Sequence, residues 1–327
     1  MEIKPKEIKP KEIKPKIAIS SCLVGHGVRF DGGHKQFRYA TESLATYFDF
    51  VPLCPEVAIG LGIPRPTIRL IKGENGTTEA VSNADRTLRY TEALSAYGKK
   101  TTPALHEVSG YILKKDSPSC GMARVKVSQN NDGPPDRTGV GIYAKEIIKA
   151  YPNLPIEEEG RLNDTRLREN FLERVFLYHR WLQLVEGGVD SNALVKFHTV
   201  QKFAILAHDE PAYRELGRIV AGVSTSDIEA RCRDYISLLM RAMKVLTTPK
   251  KHAHVLMHIM GFFKESLAAE DKAELLRLID AHREGLVPVI VPITLINYFR
   301  KRHPSAYIDG QTYLEPQPPE LMLRNML

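Results

Sequence analysis

Three cysteines are the groups in this sequence whose types and settings suggest chemistry. Cys22 ends an apolar run, Ile17-Ala-Ile-Ser-Ser-Cys22, and opens a loop with four glycines, Gly25, Gly27, Gly32 and Gly33, which permit tight backbone paths. Cys54 stands in Leu-Cys-Pro-Glu56 and Cys120 in Asp-Ser-Pro-Ser-Cys-Gly121. The adjacent prolines fix the local backbone and remove amide donors, which suits a preformed ligand loop. Three thiolates can hold three irons of a 4Fe-4S cluster and leave the fourth open as a Lewis acid. The cysteine positions match no compact ferredoxin or zinc-ribbon spacing, so buried free cysteines on core strands and a zinc site remain alternatives. The Gly25-His-Gly27 stretch is neither a P-loop nor a dinucleotide fingerprint, because no third glycine follows at the required offset.

These residues need elements to position them. From 16 to about 155, short apolar runs alternate with helical stretches, the pattern of an α/β domain with an open, mainly parallel sheet. Strands are predicted at 17–22, 50–54 and 110–113, and helices at 84–97 and 143–150. Each predicted strand runs into a cysteine-bearing loop, and in open α/β sheets such loops converge beyond the carboxyl ends of the strands. After Pro152, Pro155 and Glu157-Glu158-Glu159 the pattern becomes helical, which puts the domain boundary at 157/158 and an all-α domain over 158–327. Its predicted helices are one capped by Asn163 or Asp164 and running to Leu184, then 191–206, 210–221, 227–246 (opened by Ser224-Thr-Ser226), 250–266, 270–284 and 289–302. Four prolines make 304–320 look like an extended tail.

The chain has 327 residues, with 43% hydrophobic and 26% charged, which excludes wholesale disorder and suits two domains. Residues 2–16 repeat Glu-Ile-Lys-Pro-Lys three times, and a proline every fifth residue predicts a flexible tail over 1–15. Each copy carries two lysines and one glutamate, so the repeat supplies +3 of the formal +7 and the remaining basic bias is mild. It tolerates an anionic partner without demanding one. Four scattered cysteines, no apolar run of 18 residues and a lysine- and proline-rich start point to a reducing, cytoplasmic setting with no membrane span.

The motif set goes further. Ser-Ser-Cys-Leu-Val-Gly with Arg-Phe-Asp-Gly, Cys-Pro-Glu with Gly60-Leu-Gly62 and Pro64-Arg-Pro66, and Ser-Pro-Ser-Cys-Gly, in that order over 16 to about 150, closely resemble the thiouracil desulfidase (TudS) family. Lys196-Phe-His-Thr-Val200, Leu206-Ala-His208 and the stretch from His254 to Lys264 resemble the helical domain of the fused, RudS-type members. The resemblance implies a 4Fe-4S-dependent enzyme that hydrolytically converts 4-thiouridine in tRNA to uridine and sulfide, with no obligatory redox partner. It places the cluster ligands on Cys22, Cys54 and Cys120, the acid/base carboxylate on Glu56 and the active-site hydroxyl on Ser117.

An RNA substrate would be held through phosphates, with the target base extruded. The candidates are Lys35, Arg65 and Arg69 beside the cysteine loops, and Lys196, Lys202, Lys250, Lys251 and Lys264 on the helical domain. His254 and His258, four apart, suit packing or RNA contact better than metal, since no acidic motif accompanies them. Cys232 sits among apolar helix positions and reads as a buried structural residue. A desulfidase of free thiouracil or another small thioamide, and a non-catalytic RNA-binding or sulfur-carrier protein, are the competing readings.

Overall fold

In the computed structural model, residues 14–73, 76–129, 134–222 and 227–325 are described. The N-terminal repeat over 2–13 and Ser224-Thr-Ser226 lie outside them. The chain divides into two compact units, Met1–Tyr143 and Ala144–Leu327. The expected boundary stood at 157/158.

The first unit is α/β. Its elements are β1 (Lys16–Ser20), β2 (Asp49–Leu53), α1 (Pro55–Ala58), β3 (Ile68–Lys72), β4 (Thr78–Ser82), α2 (Thr91–Thr101), β5 (Val108–Leu113), β6 (Val125–Ser128) and β7 (Asp136–Gly139). α3 (Ile142–Ala150) follows at its end. The first unit gives three parallel strands to one sheet, with β1 paired to both β2 and β5. β5 is buried along its whole length and β1 after its first residue, as expected for apolar strands covered on both faces. A second, mixed sheet runs β4-β3-β6-β7, with β3 and β6 parallel and both outer pairs antiparallel. Leu70, Ala80, Val125 and Val127 from this sheet close a core with Leu94 of α2 and Ile142.

The three expected strands are β1, β2 and β5. The second sheet was not foreseen, because its strands are short, and β7 reads Asp-Arg-Thr-Gly with three exposed residues and no apolar alternation. The helix expected from 84 begins only at Thr91. Residues 85–88 form a turn instead, in which Asp85 accepts from the Thr87 amide and hydroxyl.

The second unit is helical after the short strand β8 (Ile156–Glu158). It contains α4 (Thr165–Glu186), α5 (Ser191–His208), α6 (Glu210–Ala221), α7 (Ile228–Ala242), α8 (Pro249–Gly261), α9 (Ala269–Arg283), α10 (Ile290–Arg302) and the single turn α11 (Ala306–Asp309). Asp164 caps α4 by accepting from the amides of Arg166 and Leu167, both at 3.0 Å. Trp181 of α4 stacks on Tyr235 of α7 and meets Phe197 of α5 edge-on. The stretch expected as an extended tail is packed instead. Ile308, Gln311, Tyr313 and Leu314 are buried, and Gln311 donates to the carbonyl of Thr199 at 2.9 Å. Its prolines stop regular helix without preventing burial. Among the described residues, no helix is long and apolar enough to cross a membrane.

Candidate active site

The three cysteines come from three separate elements of the first unit and line one cavity of about 350 Å³. Cys22 lies in a short 3₁₀ turn (Ser21–Val24) directly after β1, closed by Gly25 at φ +91°, a left-handed position that favours glycine. Cys54 is the N-cap of α1, with Pro55 in the first helical position, where its missing amide proton costs nothing. Cys120 follows β5 in a turn held by backbone bonds from Gly121 to Ser117 at 2.8 Å and from Gly141 to Gly121 at 2.7 Å. A side chain at Gly141 would stand 2.5 Å from the Ser119 carbonyl, so this close approach requires glycine.

Glu56, in the first turn of α1, receives hydrogen bonds on both oxygens. Arg65 donates to Oε2 from Nε (3.1 Å) and Nη2 (2.7 Å), and the Ser119 hydroxyl donates to Oε1 at 2.7 Å. Arg65 also donates to the carbonyls of Val28 (2.9 Å) and Gly62 (3.2 Å). It thereby ties the loop after Cys22 to the carboxylate beside Cys54. Its side chain is only 6% exposed and holds Glu56 in place. Four of the guanidinium's N–H groups are directed at protein acceptors, so little of this RNA candidate is left to face a phosphate.

Ser117 lines the same cavity, but its Oγ accepts from the amides of Cys120 (3.1 Å) and Ser119 (3.3 Å), a side-chain turn that holds the Cys120 loop. Its Oγ is 3.0 Å from that of Ser119. Because the Ser119 proton points at the carboxylate, the Ser117 hydroxyl is the donor between the two. A line of hydroxyls therefore runs Ser117 to Ser119 to Glu56 Oε1. Ser119 and the role of Arg65 were absent from the sequence reading. The signals available were a second hydroxyl immediately before Cys120 and an arginine locked between two prolines.

Burial pushes the Cys54 and Cys120 thiols up from their ordinary range, for Cys120 reinforced by the Glu56 carboxylate and by Cys54. Thiols in this setting ionise only against a compensating cation, whose binding displaces their protons. Among the described residues, no three His, Cys, Asp or Glu side chains are grouped to hold a single metal ion. The donor set is three soft sulfurs around one cavity, which fits a larger thiophilic iron–sulfur group better than a lone zinc. Cys232 lies on α7 and is only partly buried, contrary to the buried position expected, although Tyr235 and Ile236 one turn further along the same face are buried.

The other basic candidates are dispersed. Lys35 is exposed and lines the cavity, its amide donating to the Cys22 carbonyl at 2.9 Å, and Arg69 on β3 is half-buried. Lys196 and Lys202 lie on α5, the first exposed and the second half-buried. Lys250 and Lys251 open α8, but the Lys251 amine already donates to the His208 carbonyl at 2.5 Å. Lys264 is exposed beside Glu265. His254 and His258 face solvent with their Nε2 atoms 3.0 Å apart.

Residues 17–159 match the family described as 2-thiouracil desulfurase, and residues 202–318 match the protein of unknown function family DUF1722. An uncharacterised protein of Escherichia coli K12, YbgA, is 30% identical over 165 residues, which are 50% of this chain and 98% of YbgA. The chain belongs to the family of YbgA, and its two matched regions follow one another along the sequence. A solved 4Fe-4S-dependent thiouracil desulfidase, TudS, is 25% identical over 46% of this chain and 95% of its own, with a TM-score of 0.36. All three cysteines, Glu56, Arg65, Ser117 and Ser119 fall inside the desulfurase-family region. Its boundary at 159 lies beyond the compact-unit division at Tyr143.

Proposed function

We propose that this protein is a desulfidase that hydrolyses the carbon–sulfur bond of a thiolated pyrimidine, with 4-thiouridine in tRNA as its substrate, in the cytoplasm. The observation that carries the reading is the meeting of Cys22, Cys54 and Cys120 with a carboxylate held by Arg65 and Ser119, in one cavity of a desulfurase-family region. The three cysteines would hold a 4Fe-4S cluster. Bound there, such a cluster supplies a Lewis-acidic iron for the soft thiocarbonyl sulfur.

The remaining work falls to this chain's own residues. Arg65 occupies Glu56 Oε2 with two N–H groups, so Oε1 is the oxygen that takes a proton from water, directly or through Ser119 Oγ. Oxygen from that water bonds to the ring carbon, the carbon–sulfur bond breaks as the proton held at Oε1 passes to the departing sulfur, and the new C–OH gives up its proton to become the carbonyl, the ring nitrogen keeping its own hydrogen. Sulfur departs as sulfide, and nothing is oxidised or reduced. Exposed Lys35 at the cavity, with Lys196, Lys250 and Lys264 on the helical unit, would engage phosphates while the base is extruded.

A second reading, a desulfidase of free thiouracil, is favoured by the description of the matched family. One experiment separates them. Full-length protein purified without oxygen is assayed for iron and labile sulfide, then given 4-thiouridine-containing tRNA or free 2-thiouracil while sulfide release is followed. Turnover of tRNA supports the proposal, and turnover of 2-thiouracil alone supports the second reading. Protein lacking iron and inactive on both would make the cysteines structural, leaving an RNA-binding or sulfur-carrier protein.

A further inference from the structure

The helical unit contains its own cavity, of about 190 Å³, which the proposed desulfidase chemistry does not use. Its walls come from α4, the start of α8, the end of α9 and the chain after α11. Most polar atoms there are partnered. Glu173 Oε2 faces His208 Nε2 at 3.3 Å and its Oε1 accepts from Arg324 Nη2 at 3.4 Å, while His252 bonds Tyr313 Oη at 2.8 Å and Thr247 Oγ1 at 2.9 Å. Glu169 accepts from the Arg324 amide at 3.2 Å. Each buried carboxylate thus faces a basic group, and no uncompensated charge remains to attract an ion.

Two buried atoms break this pattern. His282, 5% exposed, donates from Nδ1 to the Val287 carbonyl at 2.9 Å, and its Nε2 has no partner. The carbonyl can only accept, so the proton sits on Nδ1; burial holds the ring below its ordinary pKa, hence neutral, and Nε2 is a bare acceptor. Arg324, 4% exposed, has an Nε–H with no hydrogen bond, its nearest carboxylate oxygen, Glu169 Oε1, standing at 3.6 Å. A buried polar atom without a partner carries a desolvation cost that a ligand can remove.

We propose that this cavity binds a small uncharged ligand of the amide or lactam class, whose N–H reaches His282 Nε2 and whose carbonyl accepts from Arg324 Nε. Such a ligand pairs one donor with one acceptor, matching what the walls leave open. A carboxylate or phosphate would bring a further anion beside Glu169 and Glu173.

The test uses full-length protein and free uracil as probe, with ¹⁵N spectra of the histidine rings and calorimetry in parallel. Uracil shifts the His282 Nε2 resonance saturably, whereas 1,3-dimethyluracil, which lacks N–H, does not. His282→Asn keeps a donor for the Val287 carbonyl but removes Nε2, and it weakens uracil about tenfold, the loss of one hydrogen bond to a buried acceptor. The proposal is overturned if neither uracil nor acetamide moves that resonance and Nε2 is already bonded, since an ordered water then fills the site. Equal shifts with 1,3-dimethyluracil overturn it too, without any variant. Heat of binding that leaves His282 unmoved belongs to the cysteine-lined cavity and equally overturns this placement.

Discussion

Replacing Glu56 by glutamine separates the chemistry of the carboxylate from its architecture. The wild-type side chain accepts two N–H bonds from Arg65 and one O–H bond from Ser119. Glutamine keeps one carbonyl oxygen, which can face Arg65, and turns its amide nitrogen to Ser119, whose hydroxyl rotates to accept. The lasting cost is the anion beside a guanidinium that is 6% exposed. Exchanging two charge-assisted bonds for neutral ones costs about 2–3 kcal/mol, a minority of the ~5–15 kcal/mol typical of a folded protein. The melting temperature should fall by about 5–10 °C while the cysteine loops stay in place. Turnover of 4-thiouridine tRNA should fall about 10²–10⁴-fold, the usual contribution of a positioned base. The double variant Glu56→Gln/Arg65→Met removes both charges and should recover much of the stability, because the unpaired buried cation is gone, yet recover no activity. Calorimetry and single-turnover sulfide release read the two effects separately. A glutamine variant that turns over within a few-fold of the parent would refute the base assignment; activity that recovers with stability in the double variant would reduce Glu56 to a scaffold.

The remaining outcomes divide the other residues. Cys22→Ala, Cys54→Ala and Cys120→Ala should each abolish bound iron, whereas Cys232→Ala on α7 should leave it unchanged; iron analysis after anaerobic purification decides, and a strict need for Cys232 would count against the ligand set. Ser119→Ala should lower turnover with iron retained, while Ser117→Ala should also loosen the Cys120 turn, because two backbone amides lose their acceptor at about 1–3 kcal/mol. Burial, with Lys202 nearby, lowers His198 to about 4, so the unfolded chain takes a proton below pH 6.5 that the folded chain refuses. Stability should therefore be full above pH 6.5 and fall towards pH 4 by up to ~1.4 kcal/mol per unit for this residue. Urea melts should show a shallower fall for His198→Gln, and an unchanged slope would remove His198 from the account. Lys250→Glu should weaken tRNA binding and flatten its salt dependence, and a salt-independent affinity in the parent would sink the phosphate-contact reading.

The legible parts of the sequence were those where one physical signal dominated. β1 and β5 are continuous apolar runs because both their faces are covered, and α6 shows itself through a strong apolar stripe between an Asp209 cap and Gly222. The second sheet was hidden because its strands take stability from partners distant in sequence, as in the pairing of Leu70 with Val127. Local alternation hardly marks β7. The region from 304 looked extended because proline forbids long helix, yet a chain without regular structure can still be core, as buried Tyr313 and Leu314 demonstrate.

At the site, sequence gave the residue types but not the directions of their hydrogen bonds. Ser117 and Ser119 flank one proline and are chemically identical on paper. Only the turn decides between them, because a hydroxyl three positions before Cys120 reaches that residue's amide, while the one adjacent to it points across to α1. The same holds for Arg65, whose charge suggested phosphate until its Nε and Nη2 proved to be aimed at Glu56. A buried guanidinium without its carboxylate would be costly, so the two residues constrain each other, and both depend on the backbone that places Val28 and Gly62 as further acceptors. The loop after Cys22, the helix after Cys54 and the turn before Cys120 are therefore coupled through one arginine, one glutamate and two serines. Their coupling keeps three cysteines far apart in sequence preformed around a single cavity, and it makes loss of iron after Arg65→Ala, with all three cysteines intact, the sharpest check on that arrangement.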